Sequence, residues 1–584
     1  PRIPPATVKP PSKSNGRRRR TSTKPATPPS ISLALEDFFT STRCNKSAGI
    51  SAKATPRPVV VKMLRPFKVV TTFGNPRTTT PEALFSSFAG YKQALAGVYG
   101  NLSLTGTGDA GSSFLQGIDA GTSQFGRTLW YLQNLTADEV VWTYENDEGV
   151  AELQRNTWTA NNPVILGFFS RTMAEVAFAN DFLRQSTPEL LASRGITNAN
   201  EVAEINVFRG EVRVLRALAY YYMMDVFGKA PFITESNPIG FKGPEYNREQ
   251  LFNFIESELT EVLPTLKDAN TNEYGRLDKA VAQMILAKVY LNAEVYIGTA
   301  KYTECMTQCQ NVIAGGYTLN TNYLNNFKAD NHTSNEMIFT LQADGVRTQN
   351  YGATTVIING QVGSFEGNGS EFGVGGWGGA LRLRKQLVQK FDGGSFSNDV
   401  RNTITDNNGS RPIDIAVLTN AGQGHILHKF SNKTSAGVAG PNSTFVDTDF
   451  PLFRLADVYL MYAEAQMRKD GATNGSNVKN ANTTSIGYIN DLRVRANNGS
   501  TSANVGAGDV DLQFIIDERA RELHWEGHRR QDLIRFGQFT GGNYNWAWKG
   551  NIQNGTSISD NLKVFPIPSN SIVANPNLTQ NQGY

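Results

Sequence analysis

Three cysteines in a chain of 584 residues cannot build a disulfide framework. Histidine is nearly as scarce, at five, which leaves few ways to assemble an imidazole-rich metal centre. No apolar run approaches the roughly 18 residues of a spanning helix, which excludes such a helix from the chain. The phosphate-cradling G-x-x-x-x-G-K-[ST], the nucleophile elbow G-x-S-x-G and a Gly-rich dinucleotide turn are all missing from the sequence. Carboxylates could be paired as a glycosidase couple in several ways, but nothing selects a pair. The case for catalysis is weak.

What is present divides in two. Residues 1–75 hold 15 of the 56 lysines and arginines, only two of the 52 acids, and 11 of the 25 prolines. Residues 1–77 are therefore expected to be a disordered basic segment, foreign or targeting. The remainder is net acidic, which argues against nucleic acid as a partner. Apolar residues make up 39% of the chain and aromatics 10%, ample for a large core.

Beyond residue 78 the pattern is mainly α. "TPEALFSSFAGYKQALAGVYG" (80–100) has a Thr-Pro-Glu start and a Gly stop, predicting one helix. Further helices are predicted over 164–185, 201–226, 248–266, 278–296, 299–314, 452–469, 482–496 and 509–527. The stretch 340–450 is Gly- and Asn-rich with short β-type runs such as "TTVII". One motif recurs: "LAYYYM" from Leu218, "LAKVYL" from Leu286 and "LADVYL" from Leu455. The first two copies lie 68 residues apart, twice the tetratricopeptide period, which predicts a helical-repeat scaffold.

"ELHWEGHR" (522–529) places His524 and His528 four apart, the spacing of a helical zinc site. Neither metalloprotease pattern fits: Trp525 stands where H-E-x-x-H needs its glutamate, and Gly527 where the inverted pattern needs its own. The charges offer helical pairs instead: Asp517–Arg521, Arg519–Glu522 and Glu526–Arg530. A structural helix is the favoured reading over a zinc hydrolase using His524 and His528. Cys305 and Cys309 share a helical face and read as buried hydrophobes. His425 and His428 fall on opposite faces of a β-like stretch. Metal and cofactor are both expected to be none.

Loop aromatics are more informative. Trp377 lies in "GVGGWGGA", where glycines clear space around an indole able to stack on a sugar. Trp546 and Trp548 in "NYNWAWKG" are expected to cap the core.

Several segments together resemble the SusD/RagB nutrient-binding lipoproteins of Gram-negative outer membranes. They are "RVLRALAYYYMMDVFGKAPFITE" (213–235), "GRLDKAVAQMILAKVYLNAEVY" (275–296), "FPLFRLADVYLMYAEA" (450–465), "YINDLRVRA" (488–496), "DERARELHWEGHRRQDLIRFGQF" (517–539) and the closing "FPIPSNSIVANPNLTQNQGY". The resemblance covers roughly 78–584. It implies a mainly α, SusD-like fold: a tetratricopeptide-type scaffold at about 200–325 and 450–540, and a ligand-presenting loop-rich region with short strands at about 326–450. It also implies a non-catalytic binder that hands oligosaccharides, or in some members peptides, to a SusC-like TonB-dependent transporter at the cell surface. "LTADEVVW" (135–142) and "GGWGGALRLRKQLVQKFDGGSFSNDVR" (375–401) resemble segments near family ligands. They nominate Trp377, Trp142, Tyr144, Phe372 and Asn368 as ligand-binding candidates. The family's anchor is a lipidated Cys after an export signal. Cys44, preceded by "TSTR", has no lipobox, so membrane attachment through a lipid is implied by the resemblance and not visible in the chain.

Overall fold

The computed structural model describes residues 80–362, 368–396 and 398–584. The expectations for residues 1–77, Cys44 included, lie outside them.

The chain winds as antiparallel helices: α1 (Phe88–Ser103), α2 (Phe125–Trp130), α3 (Pro163–Gln185), α4 (Ala199–Phe227), α5 (Arg248–Val262), α6 (Lys279–Leu291), α7 (Tyr302–Ile313), α8 (Ala353–Gln361), α9 (Leu455–Lys469), α10 (Thr483–Ala496), α11 (Leu512–Leu523) and α12 (Arg529–Arg535). Local chemistry sets many of the ends. Asn162, Asn198, Asp278, Asn482 and Asp511 accept N–H bonds as N-caps, and Asn247 forms a capping box with Gln250. Helix α4 stops at Gly228, whose φ of 72° is one that residues with a Cβ rarely adopt. Packing runs α3 on α4, α4 on α5, α6 on α7, α7 on α9, and α9 on α10 and α11, the stacked-pair arrangement of a helical repeat. The repeated Leu-Ala-x-x-Tyr motif lies on α4, α6 and α9. Ala219, Ala287 and Ala456 are buried at the helix contacts, and their small side chains let the neighbouring backbone approach.

Four expectations need correction. The predicted 80–100 helix is two, Pro81–Leu84 and α1, because Ser87 breaks it and caps the second; α1 also runs past Gly100. The helix predicted over 452–469 starts only at Leu455, because residues 450–454 form a strand. "TTVII" is helical: it forms most of α8, buried on every side, and surroundings that apolar overrule the β-branched preference. The helix predicted over 509–527 ends at Leu523. Trp525 and Gly527 then take φ of 63° and 81°, and the "HWEGH" stretch is a turn into α12.

That turn sits on a buried ionic network rather than on exposed helical pairs. Arg454 donates to Glu526 at 2.6 Å, to Glu336 at 2.8 Å and to Glu522 at 2.7 Å. Glu522 also accepts from Arg401 at 3.1 Å and from Arg495. Lys429 donates to the His524 carbonyl and to Glu526, both at 2.6 Å. None of the proposed helical pairs is the dominant contact: Asp517 holds Lys390, Arg519 joins Asp457 to Asp532, and Arg530 stacks on Phe565. A buried charge needs every hydrogen bond it can find, and most partners here are distant in sequence, although Arg521–Glu518 and Arg535–Asp532 pair three residues apart.

The strands are short. β1 (Val140–Trp142) pairs antiparallel with β3 (Leu381–Leu383), and β2 (Met337–Leu341) with β4 (Phe450–Arg454). The β1–β3 register, Val140↔Leu383 and Trp142↔Leu381, brings together two loops more than 200 residues apart.

Candidate functional site

The two histidines of "HWEGH" do not share a helical face. Nδ1–H of His524 donates to the Arg521 carbonyl at 3.0 Å, and the ring stands edge-on to Phe391. His528 Nδ1 lies 3.3 Å from the Lys288 ammonium, which itself pairs with Asp457. Burial pushes both imidazoles down, and Lys429 and Lys288 add to it: His524 falls well below 6.5 and His528 to about 3. A zinc ion on His528 would have to share space with a cation, and Glu522 and Glu526 are already taken by Arg454. Among the described residues no group of three or more His, Cys, Asp or Glu could hold a metal. Cys305 and Cys309 are buried on α7, and burial drives the Cys309 thiol well above its usual range.

Aromatic side chains gather where β1 and β3 end. The ladder continues past the strands through Thr143 N–H to the Ala380 carbonyl at 2.8 Å. This sets loop 143–149 beside the glycine-rich loop 374–380. Gly378 and Gly379, at φ of 69° and 61°, turn the chain in a conformation that bulky residues disfavour. Tyr144, 41% exposed, donates from its hydroxyl to the Trp377 carbonyl at 2.6 Å. Trp377 is half-buried and its ring lies 6.4 Å from that of Tyr351, which in turn meets Phe445 edge-on at 5.2 Å.

Asn359 of α8 holds this ledge from beneath. Its carbonyl accepts from Trp377 N–H at 2.8 Å and its Oδ1 from Gly376 N–H at 3.2 Å. Its Nδ2 donates to the Thr355 and Thr444 carbonyls, each at 2.9 Å. One buried amide therefore fixes the Trp377 loop and the loop carrying Phe445.

The sequence candidates separate into distinct positions. Trp142, Tyr144 and Trp377 are brought together, but Trp142 is only 2% exposed. Its indole N–H donates to Asp147 at 2.7 Å and its ring supports Tyr144 edge-on, so it offers no free face. Gly360 makes room for it, since a Cβ there would come within 3.1 Å of the Trp142 ring. Phe372 turns instead against His428, with ring centroids 4.8 Å apart. Asn368 is half-buried and precedes the turn Gly369–Phe372. Tyr351, Phe445 and Asn359 were not picked out from the sequence. The one local hint was "NYG" (350–352), an aromatic before a glycine, where Asn350 caps the Gly352 N–H at 2.7 Å. Trp546 is fully buried and Trp548 half-buried.

Such a surface offers flat apolar faces between exposed polar residues such as Asn146, Glu148 and Ser443. It suits a ligand with C–H faces and many hydroxyls.

Comparison with known proteins agrees with the helical scaffold. The family model for the SusD family (SusD_RagB) matches residues 285–584. The starch-binding protein SusD of Bacteroides thetaiotaomicron is 32% identical over 536 residues, 83% of this chain and 91% of the relative. SusD-like protein P25 of Formosa agariphila is 26% identical over 494 residues, 76% of this chain and 87% of the relative. Among solved structures, a SusD homolog from B. thetaiotaomicron superposes with a TM-score of 0.67 at 18% identity, covering 86% of this chain and 98% of that one. Surface glycan-binding protein A from the same organism, in complex with laminarihexaose, gives 0.62 at 18% identity, covering 84% and 98%.

Proposed function

This chain belongs to the SusD family, and from that premise we propose that it is a non-catalytic glycan-binding protein of the cell surface. It captures oligosaccharides and delivers them to a SusC-like TonB-dependent transporter in the outer membrane, to which it is held through a lipid anchor. The ligand site is the ledge of Tyr144, Trp377, Tyr351 and Phe445, with Trp142 as its support and Asn359 as its clamp. Phe372 and Asn368 flank it on the same glycine-rich segment. The observation that carries this reading is the Tyr144–Trp377 hydrogen bond, which joins two sequence-distant loops into one exposed aromatic surface. The starch-binding character of one relative and the laminarihexaose held by one structural neighbour support a glycan as the ligand class.

Recognition works by stacking sugar C–H faces on rings while hydroxyls bond to neighbouring polar groups. A sugar that covers about 60 Å² of apolar surface on Trp377 gains about 1.5 kcal/mol, roughly a tenfold change in Kd. A mixed array of glycans and peptides tests the class. Binding to glycans is expected, and exclusive binding to peptides would overturn the ligand assignment. Calorimetry with the best glycan tests the place: Trp377→Ala should weaken binding about tenfold, and unchanged affinity would remove the ledge from the site.

A further inference from the structure

The two tryptophans of "NYNWAWKG" have different fates. Trp546 is fully buried, whereas Trp548 is half-exposed with φ of 68°. A bulky residue rarely adopts that backbone region, and such outliers persist where the surroundings enforce them. Here the indole N–H donates to the Ile415 carbonyl at 2.8 Å, and the ring packs against the small cluster of Val141, Ile415 and Leu418. The ring is thus fixed in orientation while part of it stays accessible.

Its other neighbour leads back to the ledge. The Arg155 guanidinium lies 5.9 Å from the Trp548 ring centroid. Arg155 forms a two-pronged pair with Glu145, one prong at 2.7 Å, and Gln154 donates to the same carboxylate at 2.6 Å. Glu145 directly follows Tyr144. Loop 143–149 is therefore linked to both aromatics, to Trp377 through the Tyr144 hydroxyl and to Trp548 through Glu145 and Arg155, and its Asn146 and Glu148 are exposed.

We propose that Trp548 and Arg155 form an extension subsite that binds the distal sugars of a longer glycan chain crossing the Tyr144–Glu148 loop from the Trp377 ledge. The inference rests on the glycan-binding function proposed above. The part of the indole left exposed supplies an apolar contact, and the guanidinium and carboxylate, held in a fixed plane by their mutual pair, offer their remaining donors and acceptors to adjacent sugar hydroxyls. A purely structural Trp548, pinning the Ile415 loop, would influence stability and have no bearing on ligand length.

Ligand length is therefore the readout. Calorimetry on the full chain would use oligosaccharides from disaccharide to octasaccharide of the best-binding glycan. The wild type should gain affinity with length, and Trp548→Ala should lose about tenfold of that gain. Arg155→Met, which leaves the Trp548 packing in place, should lose part of it and serves if Trp548→Ala fails to fold. The subsite is overturned if both folded variants, or Arg155→Met alone when the other does not fold, keep the wild-type gain. It is equally overturned if the wild type shows no gain with length. Trp377→Ala separates the two ideas, because it should weaken every length. If Trp377→Ala binds every length normally, the ledge assignment fails, whereas a normal length dependence in the Trp548 and Arg155 variants removes only the extension.

Discussion

Replacing Glu522 with glutamine tests how much of the stability resides in the buried ionic network. The carboxylate accepts from Arg401, Arg454 and Arg495 with no exposure to solvent, and these partners outweigh burial to hold it well below its usual 4.5. Glutamine preserves the shape and one acceptor oxygen but leaves three guanidinium groups facing a neutral amide. Removing one partner from a buried ion set costs about 3–5 kcal/mol. The sign of the pH dependence follows from the depressed pKa. The stabilisation is present above about pH 4.5 and is lost as pH falls through the lower folded-state value. Urea denaturation, which leaves ionic strength unchanged, should show Glu522→Gln well below the wild type at pH 7 and the two curves converging in acid. A difference under about 1 kcal/mol at pH 7, or a gap that does not close in acid, would refute this account of the network.

Three further outcomes are expected. Glu175 lies buried with Asn101 donating to it at 2.7 Å, and burial raises its pKa to about 8. A raised carboxyl stabilises below 4.5 and loses that contribution as pH rises, so Glu175→Gln should abolish a decline of about 3 kcal/mol between pH 4.5 and 7; an unchanged pH–stability profile would count against it. Asn359→Ala removes the side-chain bonds to Gly376 N–H and the Thr444 carbonyl while keeping the backbone bond to Trp377 N–H. It should therefore loosen both ledge loops, raising the glycan Kd roughly three- to tenfold with a shift in tryptophan emission, and wild-type affinity would show that the clamp is dispensable. Elemental analysis after dialysis should find no stoichiometric zinc; zinc that disappears in His524→Ala would revive the hydrolase reading.

The scaffold was legible because its signals are local. An alanine flanked by leucine and tyrosine at helical spacing says the same thing whatever surrounds it. The failures share a different cause. "TTVII" has strand-like residues, but burial on all sides made a helix the better packing. The charges of 517–530 were paired along the helix by a rule suited to exposed faces. Once buried, Glu522 found its cations at 401, 454 and 495. From the residues alone the candidate site was legible only where glycines surround an aromatic, as at Trp377; Tyr144 was nominated by the family resemblance. Tyr351 and Phe445 carry no such mark, since they join the ledge only when Asn359 ties their loops together. Trp142 was nominated beside Trp377 through the resemblance, and its burial and Asp147 hydrogen bond reveal it as a support.

The β1–β3 pair also bears on the order of events during folding. Its strands lie more than 200 residues apart, and the hydrogen bond from Trp130 to the Trp525 carbonyl spans 395. Contacts of such high order form late, since the loop they close must be paid for first. A nascent chain that has extended only as far as Trp142 holds strand β1 but neither the Tyr144 loop nor any of its partners. The aromatic ledge thus cannot be completed before the chain has passed Phe445, and fragments cut anywhere before α11 should lack the turn that secures Trp130.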